Sequence, residues 1–365
     1  MRRIAGLCLI VCGLSSCSSV PDVAYWPEHE ARPLALPARS ERMVIEINDA
    51  GNFHWPGQFN RLQRWLATEP TTLPVLVFIN GWHHNASPND SNFTDFDEFL
   101  GKVEAKAGTP VRGLYVGWRG DSFDTPLAWE PSDFVTVWDR KNASVTVGEK
   151  GLAQVVALLR EQHSERAVYM IGHSFGGSAL FHAIKDGLVQ EQLDGFEYFM
   201  LNPAVAEREF DEVEQALVSA WAASPAFAGT VSITAADALR QHRKVTVLQG
   251  QGDKAVGVGY RIAFRGTPIG FDRQRQTHRA WVCATADACP PPQLDACTAT
   301  LADGRFVLRA RTMPGQGCAS MQQRPVWVIA GADSVSADHN DILNSIQADA
   351  LADLVAQRWR LRAGR

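Results

Sequence analysis

Apolar runs recur along this chain between stretches of helical spacing, and the two patterns alternate. Met43 to Asn48 carries Val44, Ile45 and Ile47 and predicts an outer strand. Phe59, Leu62, Trp65 and Leu66 follow at helical spacing. Pro74 introduces Val75-Leu76-Val77-Phe78-Ile79, a run with no polar position, which predicts a strand buried on both faces. Val111 to Trp118 predicts a further strand, and Leu152, Val155, Val156 and Leu159 a helix. Ala167 to Ile171 is the next strand, followed by helical spacing at Leu180, Phe181, Ile184 and Leu188. Phe196 to Leu201, Lys244 to Leu248 and Val326 to Ala330 complete the strands, and Ile342, Ile346, Ala350 and Leu354 mark a closing helix. This alternation implies an α/β fold with a mostly parallel central sheet and helices on both faces. Segments 119–146 and 265–322 lack either pattern. They are expected to be long irregular insertions over the carboxyl ends of the strands, where ligands bind in such folds.

The sharpest local feature joins the Ala167–Ile171 strand to its helix. Gly172-His173-Ser174-Phe175-Gly176 fits G-x-S-x-G, with Gly177 directly after it. A strand-to-helix turn this tight strains the serine backbone and leaves no room for bulk two residues before or after it. Its hydroxyl then projects from the sheet, and the Phe175 N–H faces the reacting group. The bland alternative is a glycine-rich turn with a solvated serine. On these residues the chain resembles the α/β-hydrolase superfamily. The resemblance implies a Ser-acid-His triad in that chain order, a backbone oxyanion hole, and no cofactor or metal.

The histidine expected on this basis is His339, in a loop between the last strand and the last helix. It would take the proton of Ser174 and return it to the leaving group. A helix-capping neighbourhood around Asn340 and Asp341 is the structural alternative. Asp253, presented by the glycine-rich turn Gly250-Gln251-Gly252 after a strand, is the candidate acid that orients His339. Asp333 and Asp338, nearer to His339 in sequence, are its rivals. The second oxyanion N–H is expected from the loop after the buried strand, at Gly81 or Trp82. Many family members carry His-Gly where this chain has Asn80-Gly81, a change of side chain that keeps the backbone donor. His83 and His84 invite a metal reading, but no H-x-x-x-H or matching carboxylate pattern accompanies them, so lining a pocket is the expectation. His173 is expected to be structural. Phe78 to Asn85, Val116 to Gly120, Trp138 to Asn142, Gly172 to Gly177 and His339 to Ile342 together look like a group of poorly characterised α/β-hydrolase-like proteins, over roughly residues 43–355. Trp118 and Trp138 have no catalytic role derivable from sequence, and packing under the insertions is expected for them.

Composition narrows the setting. The chain has 365 residues, 45% hydrophobic and 21% charged, with a formal net charge of -5. That suits a globular protein and argues against a nucleic-acid partner, since no strongly basic domain stands out. Arg2 and Arg3 precede an apolar stretch, Ile4 to Leu14, too short to span a bilayer and shaped like a secretory signal. Leu14-Ser15-Ser16-Cys17 resembles the bacterial lipobox, which implies lipidation of Cys17, export to the cell envelope and, with Ser18 following, sorting to the outer membrane. An ordinary signal peptide with an incidental cysteine is the alternative. Residues 1–17 are then a signal peptide, 18–40 with four prolines a tether, and 41–365 the hydrolase domain. Cys283, Cys289, Cys297 and Cys318 remain in the mature chain, all within 265–322. In an exported protein they are expected to form two disulfides, in any of three pairings.

The reading is a lipid-anchored serine hydrolase, with Ser174, Asp253 and His339 as the triad and Phe175, Gly81 and Trp82 around the oxyanion. A small-molecule or lipid ester is the expected substrate; amides, thioesters and acyl transfer use the same parts. A non-catalytic envelope binding or assembly protein on the same fold is the reading of another class. Sequence leaves the oligomeric state open.

Overall fold

A computed structural model describes residues 18–26, 34–35, 40–68, 72–124, 133–162, 167–188, 196–222, 244–250, 252–271, 279–283, 296–301, 306–311, 326–331, 338–340, 342–343 and 346–363. The strands are β1 (Glu41–Ile47), β2 (Val75–Ile79), β3 (Arg112–Trp118), β4 (Val168–His173), β5 (Phe196–Leu201), β6 (Val245–Gly250), β7 (Arg279–Cys283), β8 (Ala296–Leu301), β9 (Phe306–Arg311) and β10 (Val326–Gly331). They lie in one sheet in the order β8-β9-β7-β10-β6-β5-β4-β2-β3-β1, with Leu34–Ala35 added beyond β1. From β7 to β1 every neighbouring pair is parallel. β9 and β8 continue the sheet antiparallel at one edge, and Leu34–Ala35 at the other.

The all-apolar β2 run has a simple cause. Val75, Val77 and Ile79 enter the core on one face of the sheet, and Leu76 and Phe78 enter the core on the other. Period-two alternation divides the run between two dry faces, so no position is left for a polar residue. The first face is covered by α1 (Gly57–Ala67), α4 (Ala153–Gln162), α5 (Phe175–Ile184) and α6 (Glu207–Ala222), which bury Leu62, Val155, Phe181 and Phe210 there. The second is covered by α2 (Ser91–Ala107) and α7 (Ile346–Ala363), which bury Phe96, Phe99, Leu351 and Val355. Asp90 caps α2 by accepting from the Asn92 N–H, and Gly108 ends it at φ 72°, a left-handed turn that suits glycine.

Two sequence expectations change. Segment 119–146 is helical from Asp133 onwards: α3 (Asp133–Val147) runs through a π-helical turn, Gly148–Leu152, into α4. Thr136, Arg140, Lys141 and Ser144 are buried polar residues on α3, and they erase the apolar periodicity that would have disclosed it. Segment 265–322 is not wholly irregular either, because β7, β8 and β9 extend the sheet edge. Cys283 stands opposite Val307 of β9 and Cys297 opposite Ala310, on the two sides of that strand. Cys17, Cys289 and Cys318 lie outside the described residues.

Within 18–40, the described residues lie against the domain. The Tyr25 and Trp26 N–H groups donate to the two carboxylate oxygens of Glu46, at 2.8 and 2.9 Å. Glu46 is buried, and that burial raises its pKa. Trp26 stacks on Phe93 and donates its indole N–H to Ala86 O. Among the described residues no helix is long and apolar enough to cross a membrane.

Candidate active site

Ser174 sits between β4 and α5 at φ 54°, ψ -119°, a strained conformation for any residue with a Cβ. The flanking glycines are required by contact. A Cβ on Gly172 would meet Gly176 O at 2.6 Å, and one on Gly176 would meet Asn80 O at 2.3 Å. The turn is held by its own backbone. The Ser174 N–H donates to Leu201 O at 3.0 Å, and its carbonyl accepts from the N–H groups of Ser178 and Ala204, both at 3.1 Å.

Loops after three strands converge on this serine. His339 Nε2 lies 2.9 Å from Ser174 Oγ, and its Nδ1 lies 2.8 Å from Asp253 Oδ2. The carboxylate partner fixes the proton on Nδ1, so Nε2 accepts from the serine hydroxyl. Asp253 is fully buried as a side chain. Its second oxygen, Oδ1, accepts from the Val256 N–H at 2.9 Å, and Gln249 Nε2 donates to Oδ2 at 3.2 Å. Of the two sequence rivals, Asp338 accepts from the backbone N–H of His339 itself, and Asp333 lies outside the described residues.

The loop after β2 comes close on the other side. The N–H of Gly81 points to Asn92 Oδ1, at 3.4 Å, so of the two donors expected there Gly81 is already occupied. The N–H groups of Trp82 and Phe175 have no acceptor among the described residues. Trp82 and Phe175 pack ring to ring at 5.4 Å, which brings their segments together beside Ser174. His83 and His84 take different partners, Asp121 at 2.9 Å and Asp90 at 3.1 Å.

Several residues of the site escaped the sequence reading. Asn202 Nδ2 donates to His339 O, while its Oδ1 accepts from the Gly250 N–H and from Gln249 Nε2. Trp118, expected only to pack, donates its indole N–H to Asn80 O at 2.8 Å, and Asn80 Nδ2 returns to His84 O, also at 2.8 Å. Together they fix the 80–84 loop. Trp138 is half-exposed and donates to Ala263 O. Arg140 bonds both oxygens of Asp49, and Lys141 donates to Ser178 Oγ at 2.6 Å and to Ala204 O at 3.0 Å. The tryptophans and cations of 118 and 138–141 were visible as motifs; apart from the Arg140–Asp139 pair, the partners named for them are more than twenty residues away, and spacing carries no trace of those.

A family model described as an alpha/beta hydrolase of unknown function (DUF900) matches residues 60–271, more than half of the chain. The chain belongs to this α/β-hydrolase family. No curated protein matches it. Among solved structures it is similar to phospholipase PlaB from Legionella pneumophila in complex with thio-NAD, at 16% identity and a TM-score of 0.24. That match covers 66% of this chain and 50% of the phospholipase chain, so it spans half the length of that protein. In this α/β hydrolase the space beside Ser174 is a half-open cavity of about 210 Å³, lined mainly by apolar side chains including Trp82, Val137, Phe175, Val256 and Phe264.

Proposed function

We propose that this α/β hydrolase cleaves carboxylic esters by nucleophilic catalysis at Ser174. The observation that carries the reading is the continuous relay from Asp253 through His339 to Ser174 Oγ, opening on an apolar cavity. Ser174 Oγ attacks the ester carbonyl carbon while its proton passes to His339 Nε2. The oxyanion so formed is held by the N–H groups of Phe175 and Trp82, both at present without an acceptor among the described residues. Collapse breaks the bond to the leaving alkoxide, which takes the proton from His339. Water, deprotonated by the same imidazole, then releases the acid and restores Ser174. Asp253 keeps Nδ1 protonated and offsets the imidazolium charge.

We place the enzyme in the bacterial cell envelope, held at a membrane by a lipid on Cys17, on the strength of the signal and lipobox pattern. The test of the chemistry is labelling by a fluorophosphonate with the modified peptide located by mass spectrometry. An adduct on Ser174 that disappears in His339→Ala is expected; folded protein that stays unlabelled would remove Ser174 from the mechanism.

A further inference from the structure

One wall of the cavity beside Ser174 comes from a single segment, the π-helical turn Ala255–Tyr260 and the short helix Arg261–Phe264 that continues it. That segment presents Ala255, Gly259 and Ala263 to the cavity, one small residue per turn. A Cβ on Gly259 would meet nothing nearer than Lys254 O at 4.0 Å, so no described residue takes the space in front of it. Val137, Phe175 and Trp82 complete the apolar lining. Tyr260 and Phe264, also in the lining, stand with ring centroids 4.7 Å apart. Both also line a second cavity, of about 450 Å³, whose other walls include Lys141, Glu207, Arg208, Glu209 and Arg265.

We infer that the cavity is an acyl groove and that the substrates are esters of short acyl groups. This rests on the ester-hydrolase reading and gives it a substrate class. Among the described residues the lining carries no carboxylate, ammonium or guanidinium to orient an acid or an amine. At about 210 Å³ the channel is smaller than the roughly 300–1,000 Å³ of sites that enclose drug-sized ligands. Tyr260 and Phe264 border both this cavity and the second one. Beyond lie charged side chains, where each further methylene would meet polar surface and lose its gain from burial. A short chain fills the channel; a long one must leave it. Gly259 sets the width, because any larger side chain there grows into the channel.

The experiment compares 4-nitrophenyl acetate, hexanoate and palmitate on the full mature chain, with Gly259→Leu and, on the outward face of the same segment, Ile262→Ser. Ile262 is 66% exposed and does not line the cavity. Wild type should prefer hexanoate to both acetate and palmitate. Gly259→Leu should lower the hexanoate-to-acetate ratio of kcat/KM by roughly ten-fold or more, the discrimination a hydrophobic pocket gives per few methylenes. Ile262→Ser should leave that ratio unchanged. Rates of Ser174 labelling by ethyl and hexyl fluorophosphonates read the same groove without turnover and should shift in the same sense. A Gly259→Leu ratio that tracks wild type in both assays, with Ser174 labelled, overturns the groove while the hydrolase reading stands. Failure of every ester together with an unlabelled Ser174 overturns both.

Discussion

The imidazole of His173 donates Nε2–H to the carbonyl oxygen of His339, at 3.0 Å, from the position immediately before the serine. The two rings stand 4.9 Å apart, and His173 is fully buried. A carbonyl accepts only, so His173 carries its proton on Nε2. The same carbonyl accepts from Asn202 Nδ2 at 3.0 Å. His173 therefore acts on the candidate base through the backbone, as a positioning residue. His173→Leu should cut kcat by roughly 100-fold with little change in KM, because a shift of about 1 Å in the base costs that much. His173→Gln, which keeps a donor, should recover part of it. Steady-state kinetics of the two variants on one ester decides this; equal losses in kcat and in ligand binding would mean general unfolding of the site.

The same residue should set an acid limit on stability. Burial, then the His339 and His84 imidazoles, hold the His173 pKa well below its ordinary 6.5. The unfolded chain takes up this proton near 6.5 and the folded protein does not, so lowering the pH favours unfolding. The contribution is complete above pH 6.5 and declines below it, by up to about 1.4 kcal/mol per pH unit. Urea unfolding between about pH 7.5 and about pH 5 should show this slope in wild type and a shallower one in His173→Gln.

Strain at Ser174 is separable from chemistry. At φ 54°, ψ -119° glycine is comfortable and alanine is not. Both Ser174→Ala and Ser174→Gly lose the hydroxyl and should be inactive. Ser174→Gly should nevertheless be the more stable of the two by about 1 kcal/mol, the strain relieved less the extra chain entropy of glycine. Thermal melts of the pair would check it; alanine more stable than glycine would mean the elbow is not strained.

Gly81 marks where two loops nearly touch. A Cβ there would stand 2.5 Å from His173 Nδ1 and 3.1 Å from Ser174 Cβ, against a fully buried ring with no space to retreat. Gly81→Ala should cost about 1–3 kcal/mol and displace His173 from the His339 carbonyl. Its kinetic signature should match that of His173→Leu, and in the double variant the two losses should not add.

Those relationships mark where sequence reading stops. Val75–Ile79 disclosed its strand because both faces are dry, and the glycines around Ser174 disclosed the turn because sterics permit nothing else at those positions. The side-chain hydrogen bonds of His339 join residues more than eighty positions apart, yet the G-x-S-x-G turn, the loop positions and the α/β-hydrolase resemblance pointed to Ser174, Asp253 and His339. What stayed hidden is polar and buried. Asn202, Gln249 and the α3 residues Arg140 and Lys141 satisfy backbone or side-chain groups of distant elements, which no periodicity registers. The edge strands β7 to β9 were also missed, since short runs such as Ala-Cys-Thr-Ala-Thr-Leu have none of the continuous hydrophobicity of the central strands.

Lys141 is the sharpest of the hidden residues, because its charge is buried beneath the elbow. Burial lowers its pKa from 10.5 to about 8; Glu209 opposes the shift and Lys185 adds to it. Its ammonium donates to Ser178 Oγ and Ala204 O, and the Ala204 N–H holds the Ser174 carbonyl, so Lys141 props the turn through one intermediate residue. Its folded pKa lies below its unfolded one, so the unfolded chain binds the proton more tightly. Stability should therefore rise with pH between about 8 and 10.5, by up to about 3 kcal/mol from this residue alone. Lys141→Met removes a charge that is costly to bury at neutral pH and takes the Lys141 donor from Ala204 O and from Ser178 Oγ, which keeps only the Ser144 hydroxyl at 3.1 Å. Its stability should lack the alkaline rise, and its kcat should fall by roughly ten-fold as the elbow loosens. Chemical unfolding of both proteins at about pH 7.5 and about pH 10 measures the first effect. Parallel pH dependence in wild type and Lys141→Met would show that the Lys141 ammonium is not held in a desolvated site, and the prop argued for it would fall with that result.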